Sequence, residues 1–447
     1  MICYLWFFRT KMPVRFLRDR YADLKSSARS NLVFTDKAKK TAGLFVSMVL
    51  SLLVGIVISV INTRYLGKEQ YGDFKFLINL FSLGVTFLTF GFFYTGGLLL
   101  ARTDRAKEKR ELTGDILKIA LMSSLLLILI SLVFSFLEHK IFGNRLGPLI
   151  RYSLPLLFIY PFQLCFEQVL QGSNRIYSLS LLRIGPKLVY IALALGLQYF
   201  SRFNLTSALI AHLGAFAIVI VALILYVRPA FRGGISNLSG ILKENRNYGF
   251  PIYLGAITGV ASSYLAGITI SYYIDNENVG FYSLAIMAAL PLTMLPASFG
   301  TTFFKAFVTY PGIPRKVILV TAGTGLAALL GFLIFIDEIV ILLYTEEFRP
   351  VIGLSYYIAI GSLFHGFGDF LNRFISAKGL GKLIRNSNFI LGAVNTAGYL
   401  ILPRYLGVEG AAYTRLIAGI VYFLLLLGFY RRYQAQRRST LNTAKND

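Results

Sequence analysis
The sequence predicts an all-α, polytopic membrane protein: twelve transmembrane helices in two parallel six-helix bundles. Three observations predict it. Twelve apolar stretches lie between positions 42 and 430 with connections too short to fold, basic residues crowd alternate connections, and the two halves carry matching segments. Hydrophobic residues make up 56% of the 447 and charged ones 15%, with a mean hydropathy of +0.64. So little polar surface could not enclose a water-soluble core, which leaves a bilayer as the solvent.

Each stretch approximates the ~20 residues that a helix needs to cross ~30 Å of hydrocarbon. The first span, 42–62, follows the basic run that ends at Lys40. The second, 76–101, closes at Arg102, and the third, 116–137, opens after the charged connection 102–115. The fourth, 153–170, is short and its start reaches back to Leu149; the fifth, 177–200, carries Pro186, and the sixth is 205–227. The seventh, 250–274, holds Gly255 and Gly259 at a spacing that permits close helix approach. The eighth, 279–304, holds Pro291 and Pro296 mid-span, where a kink is expected. The ninth, 317–336, is followed by Ile339 to Tyr344, which either extends the helix or dips back at the surface. The tenth is 351–374, the eleventh 387–402 with its start reaching back to Leu383, and the twelfth 410–430.

The expected organisation is a basic cytoplasmic segment 1–41, a bundle 42–227, a cytoplasmic linker 228–249, a second bundle 250–430 and a basic cytoplasmic tail 431–447. The opening segment has no secretory cleavage pattern. It reads as a helix on the inner leaflet with Arg15, Arg18, Lys25 and Arg29 toward headgroups, as a solvated tail, or as a region upstream of a start at Met12.

A formal net charge of +24 invites a nucleic-acid partner, but position excludes one. Of the 45 Lys and Arg, 31 fall on one set of connections and the termini, nine on the other set and five within spans. This is the positive-inside pattern, which places both termini in the cytoplasm. Cys3 and Cys165 are too few for a disulfide framework, and Cys165 reads as apolar filler in the fourth span. No catalytic residue, cofactor pattern or metal-ligand cluster is read from the chain.

Tyr65, Glu69 and Gly72 after the first span match Tyr273, Glu277 and Gly280 after the seventh at a constant offset of 208. QGSNR at 171–175 corresponds to KGLGK at 378–382 with offset 207. Six spans per copy means that both copies insert in the same orientation, a transporter arrangement with the substrate between the halves.

The run GLFVSMVLSLLVGIVISVINTRYLGKEQYGDFKFLINLFSLGV, with Arg64, Leu66, Gly67, Tyr71 and Gly72, resembles the opening of the polysaccharide-export branch of the MATE-like flippase superfamily, the Wzx O-antigen flippase group. The likeness continues in YYIDNENVGFYSLA, PLTMLPASFG and VLQGSNR. The resemblance implies a MATE-like fold in a bacterial inner membrane. It also implies movement of an undecaprenyl-pyrophosphate-linked oligosaccharide between leaflets by alternating access, alongside polysaccharide polymerase and glycosyltransferases.

A charge at the bilayer centre costs about 2.5–3.5 kcal/mol on insertion scales, so each one inside a span is a candidate. Arg183 and Lys187 are four apart on the fifth helix, hence on one face, where a planar fork and a point charge suit a diphosphate; the alternative is snorkelling to headgroups. Arg102 and Arg415, near span ends, complete the candidate substrate cations. Asp369 and Arg373 on the tenth helix could neutralise each other. By offset 207, Arg373 falls next to the position of Glu167, so an acid and a base from the two halves form a candidate gate. Glu167 or Asp369, with His365 one turn before the latter, is alternatively a protonation site for ion coupling.

A small-molecule or drug exporter, ion-coupled, is the competing reading. A membrane polymerase or glycosyltransferase is the remoter one, because the connections on the outer side are too brief to position sugar-cleaving carboxyls. No GxxxxGK[ST] occurs, so this chain does not itself read as an ATPase.

Overall fold
The computed structural model describes residues 14–231 and 235–446, with side chains described from Val49 to Phe231 and Ser239 to Gln436 except at 256, 258, 260, 261 and 382. The side chains of Arg15, Arg18, Lys25 and Arg29 therefore lie outside the described residues. By its contacts the chain divides into Met1–Leu52 and Leu53–Asp447, and all packing below belongs to the second unit.

Among the described residues the fold is helical without strands. The helices are α1 (Val14–Leu88), α2 (Phe92–Arg102), α3 (Ala106–Phe142), α4 (Gly147–Ser153), α5 (Ile159–Gly172), α6 (Ile176–Tyr199), α7 (Leu205–Val227) and α8 (Ile235–Glu244). They continue as α9 (Phe250–Tyr273), α10 (Asn276–Thr302), α11 (Phe304–Thr309), α12 (Arg315–Tyr344), α13 (Pro350–Ala377) and α14 (Gly381–Asn446). Among the described residues eight helices are long and apolar enough to cross a membrane, and the bent pair Gly147–Leu156 with Ile159–Gly172, turned by 41°, makes a ninth. Two of the eight are too long for one crossing: Val49–Leu88 has 40 residues and Leu383–Gln436 has 54.

Each of those two contains a glycine outside helical geometry, Gly67 (φ 68, ψ 179) and Gly407 (φ 61, ψ −152). Counting both sides of each glycine, and adding the 24 residues of α9, gives crossings in the expected order, twelve by this count. The same tetrapeptide, Arg-Tyr-Leu-Gly, precedes both breaks at 64–67 and 404–407. A Cβ at Gly67 would meet only Glu347 at 3.8 Å, and one at Gly407 would meet nothing within 4 Å. The requirement is therefore conformational rather than steric. Alanine at either position is expected to cost about 1–3 kcal/mol from backbone strain alone, read as a lowered unfolding temperature of the purified protein.

Caps explain other boundaries. Asn204 and Ser207 form a reciprocal capping box at the start of α7, and the Asp275 carboxylate accepts from the Asn278 amide at 2.8 Å to start α10. The stretch from Ile339 to Tyr344 extends α12 rather than dipping back. The eighth span, where a kink is expected, runs as one helix through Pro291 and Pro296. A full break falls in the equivalent second span, where Phe90 (φ 45) and Gly91 (φ 81) separate α1 from α2. Such a break survives in hydrocarbon only if the freed carbonyls find donors. Tyr253 donates to the Phe87 carbonyl at 2.8 Å, and Asn245 donates to that of Phe90 at 3.0 Å.

In the first half, Tyr190, Ala194, Ala211 and Ala215 join α6 to α7. The second half packs Phe307, Phe370, Phe374, Tyr422 and Leu426 of α11, α13 and α14 together. Only 11% of the apolar window of α12 is buried, with Leu319, Leu326, Leu330 and Ile334 exposed; lipid tails are the solvent that suits such a face.

Candidate functional site
The two halves meet where the repeat places equivalent residues side by side. A Cβ on Gly280 would lie 3.2 Å from the Cα of Gly72, its partner at offset 208, and a Cβ on Gly72 would strike the Asn276 backbone. Around this contact Asn276 donates to the Asp73 carboxylate at 2.6 Å, and Lys68 pairs with Glu277 at 3.1 Å. The Arg64 guanidinium donates to the carbonyls of Leu342 at 2.6 Å and Leu343 at 3.2 Å. Ser59 and Tyr344 share a hydrogen bond of 3.1 Å. Contact between equivalent residues is what a two-fold axis along the membrane normal produces, and these bonds seal this end of the interface.

Away from the seal lies a cavity of about 300 Å³, lined from α1, α2, α5 and α9. Close approach of α2 and α5 builds one wall, because a Cβ on Gly172 would run into the Gly97 carbonyl. Phe93, Tyr94, Tyr160, Tyr253 and Tyr264 surround the space, with Gln163, Gln168 and Glu167 between them. The hydroxyls of Tyr253 and Tyr264 are engaged, the first with the Phe87 carbonyl and the second with Ser82. The Tyr160 hydroxyl is buried without a hydrogen-bond partner among the described residues. Glu167, half-buried, lies within electrostatic reach of Arg183.

The eight candidate residues distribute over several places. None of Arg183, Lys187, Arg102 and Arg415 lines the cavity, whose charged lining residue is Glu167. This cavity is aromatic and amide-lined rather than cationic, because Arg183 and Lys187 sit on α6, which does not contribute to its wall. Lys187 lies 3.6 Å from where Gly55 would carry a Cβ and within electrostatic reach of Lys75. Lys75 was not singled out from the sequence because, at the edge of an apolar run, it reads as part of a connection. Its ammonium lies 5.4 Å from the centre of the Tyr71 ring. His212 is packed edge-on against Phe74 and Tyr190, each 5.6 Å between ring centres, as a core residue. Arg102 is held by Glu244 at 2.9 Å.

Asp369, His365 and Arg415 come together inside the second half. The Tyr422 hydroxyl donates to Asp369 at 3.2 Å and accepts from Asn372 at 2.8 Å, while the His365 ring stacks on Tyr422 at 4.8 Å. Asp369 and Arg373 interact only through longer-range charge, with no ion pair between them within 4 Å among the described residues, so the helical pairing expected at four residues' spacing is replaced by the tyrosine. Arg373 is exposed and packs on Gly300, and it forms no ion pair with Glu167 among the described residues. Tyr422→Phe would leave Asp369 and Asn372 without their shared partner, an expected loss of about 1–3 kcal/mol, to be measured by thermal unfolding against the wild type.

A family model described as "Polysaccharide biosynthesis protein" matches residues 38–315. Among solved structures, a "Lipid II flippase MurJ, inward closed conformation" superposes with a TM-score of 0.69 at 16% identity, covering 87% of each chain. An inward-facing multidrug resistance MATE family transporter of the MOP superfamily gives a TM-score of 0.63 at 17% identity, covering 87% of this chain and 96% of that one. A point mutant of the Vibrio cholerae MATE transporter VcmN gives 0.56 at 15% identity, covering 89% and 97%. At such identities the likeness is one of fold. No curated protein matches this chain.

Proposed function
Since the chain belongs to the polysaccharide biosynthesis protein family, with the fold of MOP-superfamily flippases and transporters, we propose that it moves an undecaprenyl-pyrophosphate-linked glycan from the inner to the outer leaflet of a bacterial inner membrane. The observation that carries this reading is an interface between like halves, joined at Gly72 and Gly280 and again where Tyr253 meets the Phe87 carbonyl, with a cavity between the two contacts. That is the geometry from which alternating access proceeds by rocking one half against the other. With the basic connections 102–115 and 228–249 in the cytoplasm, the end joined at Gly72 and Gly280 faces outward, and the contacts of Tyr253 with Phe87 and of Arg102 with Glu244 lie toward the inner side.

The pyrophosphate is assigned to Arg183 and Lys187 of α6, with Lys75 beside them, while the lipid tail stays in the bilayer and is spared a polar path. Arg102, paired with Glu244 at the cytoplasmic end, would meet the incoming head group, and Arg415 serves the second half. Asp369, with His365, and Glu167 are the groups placed to couple transport to an ion. Polymerase and glycosyltransferases are the partners that would consume and supply such a substrate.

The test is a flipping assay in proteoliposomes carrying the lipid-linked oligosaccharide, read by the fraction accessible to a membrane-impermeant oxidant. Protein-dependent loss of protection is expected. Protection equal to that of protein-free vesicles refutes the reading. The rival exporter reading draws support from the acid among aromatic rings in the cavity, and uptake of a lipophilic cation by the same vesicles would favour it.

A further inference from the structure
The geometry points to the cavity at Glu167 as a subsite for a single uncharged sugar ring, an inference that rests on the flippase reading for the origin of that sugar. At about 300 Å³ the space stands at the lower end of ligand pockets, enough for one ring and its substituents and too small for an oligosaccharide. The apolar C–H faces of a pyranose suit the rings of Tyr94, Tyr160 and Tyr264, and its edge of hydroxyls needs donors and acceptors at fixed points. Those points are present. The buried Tyr160 hydroxyl lacks a partner among the described residues, the Gln163 and Gln168 side-chain amides have no hydrogen bond to a described residue, and Glu167 offers a carboxylate. A buried unpaired hydroxyl is costly unless something occupies the site.

Charge narrows the ligand further. No cation lines the cavity, so the pyrophosphate does not belong there, and a uronic acid would meet the Glu167 carboxylate. A lipophilic cation would find the rings and the acid. However, Arg183 already offsets that acid, and such a ligand would cover the amides and the Tyr160 hydroxyl without bonding them. A polyhydroxylated neutral ring satisfies both sets of groups.

Saturation-transfer NMR on the full chain in nanodiscs tests this, using methyl β-glucoside, methyl N-acetylglucosaminide, methyl glucuronide and tetraphenylphosphonium as probes. At least one neutral glycoside is expected to receive saturation and the glucuronide is not. Tyr160→Phe, which keeps the ring, is expected to weaken the neutral glycoside about five-fold, as loss of one hydrogen bond does. Glu167→Gln is expected to admit the glucuronide, a gain that a merely structural role for Glu167 would not produce. Saturation of tetraphenylphosphonium but of no glycoside overturns the inference, as do absence of any glycoside signal and indifference to both substitutions. The two readings fail separately: flipping of the lipid-linked glycan without glycoside binding removes the subsite and leaves the flippase. Glycoside binding without flipping does the reverse.

Discussion
Oxidation of a chain carrying Asp73→Cys and Asn276→Cys is expected to stop transport, and reduction to restore it. The two native side chains are joined by a hydrogen bond of 2.6 Å at the point where Gly72 and Gly280 pack together. A disulfide there would hold the sealed end shut. In a two-state carrier, removing one state removes the cycle, however well the other state binds substrate. Flipping by the oxidised protein should therefore fall to the protein-free rate. Each single substitution, which loses a hydrogen bond of about 0.5–1.5 kcal/mol, should retain most of it. Wild-type rates from a fully cross-linked protein would refute opening at this end. Gly72→Val supplies the opposite arrest, because its Cβ would strike the Asn276 backbone and the end could not close. That loss should be insensitive to reductant.

Arg183→Ala is expected to lower flipping at least ten-fold and to destabilise the protein, because it removes the cation that faces Glu167. A fully buried contact pair deprived of one partner loses about 3–5 kcal/mol. Glu167 is half-buried and Arg183 is not in direct contact with it, so the expected loss is about 0.5–1 kcal/mol after screening. Glu167→Gln on the Arg183→Ala background should recover most of the stability without recovering transport. The double-mutant cycle separates the interaction of the arginine with the acid from the contact with pyrophosphate proposed for it. Additive losses of stability would show that the two side chains do not interact, and unchanged flipping in Arg183→Ala would remove it from the mechanism.

Much of the fold is legible along the chain, since the hydrocarbon imposes a length and a polarity on every crossing. The starts of the fourth and eleventh spans reach back, to Gly147 and Gly381, as their shortness suggested. The repeat at offset 208 makes Gly72 and Gly280 equivalent, and their meeting is seen only in the structure. The break at Phe90–Gly91 was not legible. It depends on Tyr253 and Asn245, more than 150 residues away, supplying donors to carbonyls that would otherwise forbid it. The prolines of α10 carry the stronger local signal for a bend, yet the helix boundary lies at Phe90–Gly91 and not at them.

The candidate site was legible only in part. Composition and spacing identify which charges are anomalous in a membrane, and Glu167, Arg183 and Asp369 all proved to have electrostatic neighbours. Spacing on a single helix does not say what faces it from another. Asp369 takes its hydrogen bond from Tyr422 of α14, and Lys75 reaches Lys187 across two helices. Aromatic rings, too abundant to sort by sequence, became a site only when five of them closed around one carboxylate.

By itself, then, the amino-acid order determined a polytopic helical protein with two like halves and basic residues concentrated on alternate connections, because burial in lipid is a property of each segment separately. Only the tertiary structure decided where the halves touch and which polar groups share a cavity. Those are relations between segments distant in the chain, and the free energy of a buried charge or hydroxyl depends on the partner that packing brings to it.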